Sequence, residues 1–458
     1  MTHSPTPPAA SVASVASVAS AQSAQSAQVA GAPTWPAPRA SGPLDAVVDV
    51  PGSKSLTNRF LVLAALANGP SSLHGALSSQ DSHHMAGALR ALGADVHDDG
   101  PVWQVSPVPL DAAQTPGTRV VDCGLAGTVM RFVPPIAALL AGDTLIDGAP
   151  AARARPMGPI IEALRDLGVD VTDEGRGTLP FTVHGRGPVR GGALEVDASG
   201  SSQFVSGLLL AAPRFTEGLH LRHVGARLPS GPHIRMTVEV LRAAGVEVDD
   251  SVPGEWTVRP STVRGGDVVV EPDLSNAAPF LCAALVAGGT VRVPRWPSSS
   301  TQPGMLLPEI LTAMGATVRL DGDVLSVTGD GTVHGVDLDL HAAGELTPAI
   351  AALAALADSP TTLRGVAHIR GHETDRLTAL ATEINRLGGD VRETADGLVL
   401  TPAPLHGGVV QTYQDHRMAT AGALLGLRVS GVEVVDVATT AKTMPGFVDL
   451  WTGMLGGR

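Results

Sequence analysis

Lysine is nearly missing from this chain of 458 residues. Of its 31 basic side chains only Lys54 and Lys442 are lysine, and the others are arginine. An ammonium is compact and mobile where a guanidinium is a rigid planar fork, so a lysine kept against such a bias implies work that arginine cannot do. Both stand beside small, turn-forming residues, in Pro51-Gly52-Ser53-Lys54-Ser55 and Ala441-Lys442-Thr443-Met444-Pro445-Gly446. Cysteine is as scarce. Cys123 and Cys282 are far apart, which excludes a disulfide framework and a cysteine-rich zinc site and suits a reducing compartment. No apolar run reaches the length of a membrane span. Positive charge is short overall, and the formal net charge of -13 argues against nucleic acid or an anionic membrane as partner. An anionic ligand therefore needs cations gathered in one place.

The chain is long enough for two or three domains with sizeable cores. Residues 1–37 read as a low-complexity tail, with ASVASVASVAS followed by AQSAQSAQ. This stretch has little to bury and is expected to be disordered. It has neither a basic n-region nor a solid apolar h-region, so no secretory signal is read there and a cytoplasmic location is expected.

Beyond the tail the sequence repeats. One element is a helix ending in Gly followed by a strand: LRALGADV at 89–96, LRDLGVDV at 164–171, LRAAGVEV at 241–248, LTAMGATV at 311–318 and INRLGGDV at 384–391. Gly suits a left-handed helix end, and the alternating apolar residues after it suit a half-buried strand. The second element is an Ala/Leu-rich helix that is apolar nearly all round, hence buried. It recurs six times, near 58–68, 128–141, 203–212, 276–287, 346–357 and 417–427. A spacing of roughly 70–75 residues exceeds that of solenoid repeats, so each copy reads as a small α/β unit. Six units in two groups of three give an α/β chain with a discontinuous lobe, 38–52 plus 272–458, and a continuous one, 53–271. A ligand site is expected between them.

Polar residues mark where the buried helices begin: Ser53-Lys54-Ser55, Gly124-Leu125-Ala126-Gly127-Thr128, Ser199-Gly200-Ser201-Ser202-Gln203, Asp273-Leu274-Ser275-Asn276, Gly344-Glu345-Leu346-Thr347 and Gln414-Asp415-His416-Arg417. Any one of these is an ordinary N-cap. Six in equivalent positions bring several N-termini to one cleft, each with free N–H groups and roughly +0.5 of a charge, which favours anions. Lys54, Arg59, Arg131, Arg155, Arg376, Arg417 and Lys442 fall on or beside the same boundaries. Arg131 and Arg417 lie within apolar helices, where an unpaired cation is costly, so an anion or carboxylate partner is expected.

PGSKSLTNR at 51–59, AGTVMR at 126–131, RPMG at 155–158, SGSSQF at 199–204, HETDRL at 372–377, DHRM at 415–418 and AKTMPGF at 441–447 together resemble the enolpyruvyl transferase family, in particular its shikimate 3-phosphate branch. The motifs run in family order from about residue 45 to the end. The resemblance implies two lobes of three βαβαββ units with parallel buried helices aimed at the cleft between them. It also implies transfer of the enolpyruvyl group of phosphoenolpyruvate to the 5-hydroxyl of shikimate 3-phosphate with release of phosphate, on the route to chorismate and aromatic amino acids. No metal or organic cofactor is implied, and a monomer is expected. Carried over by position, Lys54, Ser55, Arg59, Ser201, Ser202, Gln203, Ser230, Glu345, His368 and His372 hold shikimate 3-phosphate. Lys54, Gly127, Arg155, Gln203, Arg376, Arg417 and Lys442 hold phosphoenolpyruvate.

By the same resemblance the catalytic groups are Glu345 as base at the 5-hydroxyl, Glu373 for proton traffic at the methylene carbon, and Lys54 for the leaving or bridging oxygen. A lysine surrounded by cations can titrate near neutrality, which arginine cannot match. Four positions depart from the commonest family pattern: Leu125 for Asn, His233 for Tyr, Glu345 for Asp and His372 for Lys. An ordinary imidazole at 372 weakens a phosphate contact at high pH. Gly127 leaves room beside phosphoenolpyruvate, and the resemblance implies a glyphosate target. Like charges in the two halves of the cleft are expected to hold the lobes apart until anions bridge them.

Two rivals remain in view. The sister transferase acting on UDP-N-acetylglucosamine uses a cysteine on a mobile loop, whereas Cys123 and Cys282 read as core residues. A non-catalytic anion-binding protein explains the helix starts but gives no reason for Glu345 and Glu373 among the cations.

Overall fold

The computed structural model describes residues 32–110 and 117–456. Gly93, Gly168, Gly245, Gly315 and Gly388 each follow a helix with φ of 102°, 83°, 85°, 110° and 91°. A Cβ is disfavoured in that left-handed region, so glycine ends the helix there and turns the chain into its strand.

Five four-stranded sheets share one order: a parallel pair extended by two antiparallel strands. Gly192–Val196, for example, runs parallel to Leu219–His223, which pairs with Glu255–Val258 and then Val248–Asp249. The sixth sheet is smaller and departs from the repeat. Gly408–Val410 lies parallel to Val432–Val435, and Thr34–Pro36 closes the other edge antiparallel. The expected tail is thus shorter than residues 1–37, because Trp35 packs on Phe447 and Ala37 is buried. Residues 1–31 lie outside the described residues.

The chain changes sheet neighbours twice. Leu44–Val47 pairs parallel with Gly289–Val293, and Asp267–Val269 pairs parallel with Ser71–His74. Two hydrophobic cores result. One runs from Leu56 to Val270, and the other joins Ala37–Val50 to Leu274–Met454. At their centres lie the six apolar helices: Lys54–Ala65, Gly127–Ala137, Ser202–Ala211, Ala278–Ala287, Thr347–Ala354 and His416–Gly426. Every residue of Gly127–Ala137 and of Thr347–Ala354 is buried, as an all-round apolar pattern requires. Small residues set how closely these helices approach. A Cβ on Gly207 would stand 2.2 Å from the carbonyl oxygen of Arg131, so only glycine lets helix Ser202–Ala211 lie against Gly127–Ala137. That contact brings Gln203 beside Gly127. No described helix is long and apolar enough to cross a membrane.

Candidate active site

All six helix starts open onto one cleft between the two cores, which is lined among others by Lys54, Gly127, Ser202, Asn276, Glu345 and Arg417. Ser53, Ser201 and Asp415 cap their helices by accepting N–H bonds from Leu56, Gln203 and Arg417. Before the last helix, Tyr413 and Gln414 are both left-handed (φ 55° and 57°), and this turn delivers Asp415, His416 and Arg417 to the cleft. The Tyr413 hydroxyl anchors it by donating to the buried Glu383 carboxylate at 2.6 Å.

The structure brings the expected residues together. Lys54, Ser55, Arg59, Gly127, Arg155, Ser201, Ser202, Gln203, Ser230, Glu345, His368, His372, Glu373, Arg376 and Arg417 all line this cleft. Lys442 stands behind it with Nζ 2.9 Å from Glu373 Oε1. Both lysines of the chain therefore lie at one cleft, Lys54 lining it and Lys442 behind Glu373. Lys54 is not ringed by cations alone, as the sequence led us to expect, because its Nζ pairs with Asp81 Oδ2 at 3.1 Å. Its backbone N–H donates to Asp273 of the other lobe at 3.1 Å.

The arginines find different partners in the two lobes. Arg376 donates twice to Asp415, at 2.7 and 3.1 Å, with Asp415 wholly buried. Arg59, 1% exposed, has only neutral partners among the described residues: Thr237, the Ser55 and His233 carbonyls, and Ser206 at 3.4 Å. Arg131 donates to the carbonyls of Gly127 and Pro156 and lies over the Phe204 ring. Arg155 donates to the Leu125 carbonyl. Of the two partners expected for Arg131, an anion or a carboxylate, no carboxylate meets it among the described residues. Burial pushes Arg59 down to about 9 and Arg131 and Arg155 below their ordinary values, whereas Asp415 and Glu373 hold Arg376 up against its burial. Arg417 is lowered by burial and by Arg376, and its side chain reaches the Ser275 carbonyl at 3.4 Å.

Burial raises the Glu373 carboxyl, yet His416, Lys442 and Arg376 outweigh it and hold the group well below the usual carboxylate range. His416 Nδ1 lies 3.0 Å from Glu373 Oε2. Glu373, Asp415 and His416 could cluster around a metal ion, but Arg376 and Lys442 already pair with both carboxylates. Glu345 Oε1 is 3.5 Å from both Ser275 Oγ and His233 Nε2, the latter from the other lobe. His372 departs from expectation. Burial, then Arg376, push it well below an ordinary imidazole, and its Nδ1 accepts from Arg376 at 3.0 Å. It is neutral at physiological pH and has no charge to lose on the alkaline side. His368 is lowered to about 4 by burial and by His341.

Gln203 Oε1, His368 Nε2 and the Nε atoms of Arg131 and Arg155 are buried without a partner among the described residues. Native interiors seldom leave polar atoms so, and four around one cleft favour a polar ligand. A Cβ on Gly127 would meet Arg155 at 2.7 Å, Gln203 at 3.1 Å and Arg131 at 3.2 Å, so its missing side chain is what admits their polar ends. The two lobes also touch directly, with His341 of one lying 3.0 Å from the Leu228 carbonyl of the other.

Sequence reading missed Asp81, Ser275 and His416 as site residues. His416 sits between two recognised neighbours, but Asp81 gives no local signal beyond the capping box of Ser79 and Ser82 that starts its helix.

The pattern of the family described as EPSP synthase (3-phosphoshikimate 1-carboxyvinyltransferase) matches residues 38–451. A 3-phosphoshikimate 1-carboxyvinyltransferase of Kocuria rhizophila is 57% identical over 430 residues, 92% of this chain and 96% of that protein. The solved EPSP synthase of Acinetobacter baumannii superposes with a TM-score of 0.74 at 25% identity, covering 90% of this chain and 96% of that one. The enolpyruvyl transferase NikO of Streptomyces tendae gives a TM-score of 0.69 at 19% identity, covering 91% and 96%. With its repeats, its cleft and its sequence in agreement, the chain belongs to the EPSP synthase family.

Proposed function

We propose that this cleft transfers the enolpyruvyl group of phosphoenolpyruvate to the 5-hydroxyl of shikimate 3-phosphate and releases phosphate. The chain is a transferase of the shikimate pathway, serving chorismate and aromatic amino acid synthesis, and a glyphosate target. The observation that carries the reading is the convergence of six helix starts and the cations of both lobes on one cleft that also holds the carboxylates of Glu345 and Glu373. We assign 38–52 plus 272–458 to one lobe and 53–271 to the other, a division supported by the membership of the two cores.

The chemistry needs a base at the hydroxyl, a proton at the methylene carbon, and the reverse when phosphate leaves. Glu345, in the turn His341–Leu346, is the base for the 5-hydroxyl. Glu373, ionised at rest, takes a proton from Lys442 or His416 at its two oxygens, gives it to the methylene carbon in the addition and takes it back in the elimination. Lys54 serves the bridging oxygen as a mobile proton donor, and Asp81 holds it in place. Arg59, Ser201, Ser202, Gln203, Ser230, His368 and His372 hold shikimate 3-phosphate, while Arg155, Arg376 and Arg417 hold phosphoenolpyruvate beside Gly127. Charge-assisted bonds to both anions fix the attacking geometry.

The UDP-sugar reading finds no support in the cysteines. Cys123 and Cys282 are wholly buried, and burial pushes the Cys123 thiol up to about 12 and that of Cys282 higher still. Phosphate release with shikimate 3-phosphate, but not with UDP-N-acetylglucosamine, tests the assignment. Glu345→Gln should lower kcat by about 10²–10⁴ while shikimate 3-phosphate binding stays measurable. Unchanged turnover would remove Glu345 from the mechanism.

A further inference from the structure

His341 faces two acceptors. Its Nδ1 lies 3.2 Å from the Gly365 carbonyl oxygen and its Nε2 lies 3.0 Å from that of Leu228. A carbonyl oxygen only accepts, and a neutral imidazole carries a single N–H, so it would leave one nitrogen lone pair against an oxygen lone pair. Only the doubly protonated ring donates to both.

The two carbonyls belong to different lobes. Gly365 follows strand Thr361–Arg364 in the lobe of His341 itself. Leu228 lies two residues before Ser230, whose left-handed backbone (φ 50°, ψ 47°) opens helix Gly231–Ala243 in the opposite lobe. His341 in turn begins the segment His341–Leu346, which kinks at Ala343 (φ −138°, ψ 41°) before it presents Glu345. One ring thus ties the turn of the base to the loop of a substrate contact.

We infer that His341 is a positioning residue which, as an imidazolium, latches the Glu345 turn to the Leu228–Ser230 loop of the facing lobe. The inference rests on the functional reading of Glu345 and Ser230 given above. The charged and titratable groups around the ring are Asp339 and Glu345 on its own segment, His368 on the neighbouring turn, Arg364 and Asp396 beside Gly365, and Arg227 beside Leu228. Asp339 accepts the backbone N–H of His341 at 2.9 Å and Asp396 accepts that of Gly365 at 3.0 Å, so both carboxylates are engaged by backbone. Arg364 is engaged by Asp337 at 2.8 Å. His368 stands edge-on with ring centroids 5.8 Å apart and is held neutral, so it adds no competing charge.

The test is the affinity for shikimate 3-phosphate, by titration calorimetry, of the full chain and of His341→Gln at about pH 6 and about pH 8.5, on either side of the ordinary imidazole range. Comparing the two proteins at each pH cancels every titration they share. The variant is expected to bind about tenfold more weakly at the acid value and within about twofold of wild type at the alkaline one, as a charge-assisted bond present only in the protonated form requires. His341→Lys, which keeps its charge at both values, should gain on the wild type as pH rises, and it provides the readout if the glutamine variant does not fold. A wild-type to glutamine ratio that is the same at both pH values, whether one or ten, would overturn the latch. Absence of binding by the wild type would instead overturn the functional reading, and the latch with it.

Discussion

The two halves of the cleft solve the same problem in opposite ways. In the lobe built on the second core, Arg376 and Lys442 are matched by Asp415 and Glu373. In the other lobe, Arg59, Arg131 and Arg155 are buried or half-buried against carbonyls, hydroxyls and aromatic faces, and Asp81 is set against Lys54. An unmatched buried guanidinium is a standing cost to the folded state, and an arriving phosphate or carboxylate relieves it. Apart from Arg417, which among the described residues reaches only the Ser275 carbonyl, the first half keeps its cleft cations paired, and it holds Glu345 and Glu373. The second is left wanting an anion, and is suited to hold one.

Paired substitutions break this comparison most directly. Arg376→Met leaves the wholly buried Asp415 without its two charge-assisted bonds, which in buried pairs costs about 3–5 kcal/mol. Thermal melting should show a loss of about 10 °C for a lobe of this size. Arg131→Met removes a cation that no described carboxylate matches, and should leave the ligand-free melting point unchanged or raise it by a few degrees, while phosphoenolpyruvate binds more weakly. Equal losses for the two variants would mean that the arginines of both halves are equally well compensated.

Gly127→Ala probes the needy half more gently. The new methyl group would press on the ends of Arg155, Gln203 and Arg131, which are flexible, so the fold should persist while the anion cradle distorts. We expect an unchanged melting point, an apparent KM for phosphoenolpyruvate raised about tenfold, and a much smaller change for shikimate 3-phosphate. An unaltered KM would show that the cradle has slack to give.

Much of this was legible in the chain because the signals are local. A glycine after an amphipathic stretch and a polar cluster before an apolar one mark both ends of a helix without any tertiary knowledge, and they located five of the six sheets and all six helix starts. Thr34–Pro36 escaped because it abuts low-complexity sequence and carries no alternation. The site was legible as a set of cations and illegible as a set of pairs. Lys54 meets Asp81 across 27 positions, Arg376 meets Asp415 across 39, and His341 meets Leu228 across 113. Nothing in one residue's neighbourhood announces such partners. Hence His372, read as an ordinary imidazole, proved to be neutral beside Arg376, and Arg131, expected to meet an anion or a carboxylate, meets carbonyls within the described residues.

Acid should expose the same asymmetry. His233, His368, His372 and His416 are all held below an ordinary imidazole, in each case chiefly by burial, with His368 at about 4. A group whose folded value is depressed takes up its proton in the unfolded chain first. Its contribution is complete above the unfolded value of ~6.5 and is lost progressively as pH falls toward the folded value. Glu373 behaves likewise lower down, losing its contribution below the ordinary carboxyl range. Arg59, pushed down to about 9 by burial, stays charged in both states across this interval and adds no slope. Three of the four histidines lie in the balanced lobe, so that lobe should be the acid-sensitive one. Melting between pH 7 and pH 5 should fall by a few degrees, and His372→Asn should flatten the slope more than His233→Asn, because His372 is held further below an imidazole's usual value. A melting point level across that interval would mean these rings accept protons in the folded protein, and that the balanced half is less dry than its geometry implies.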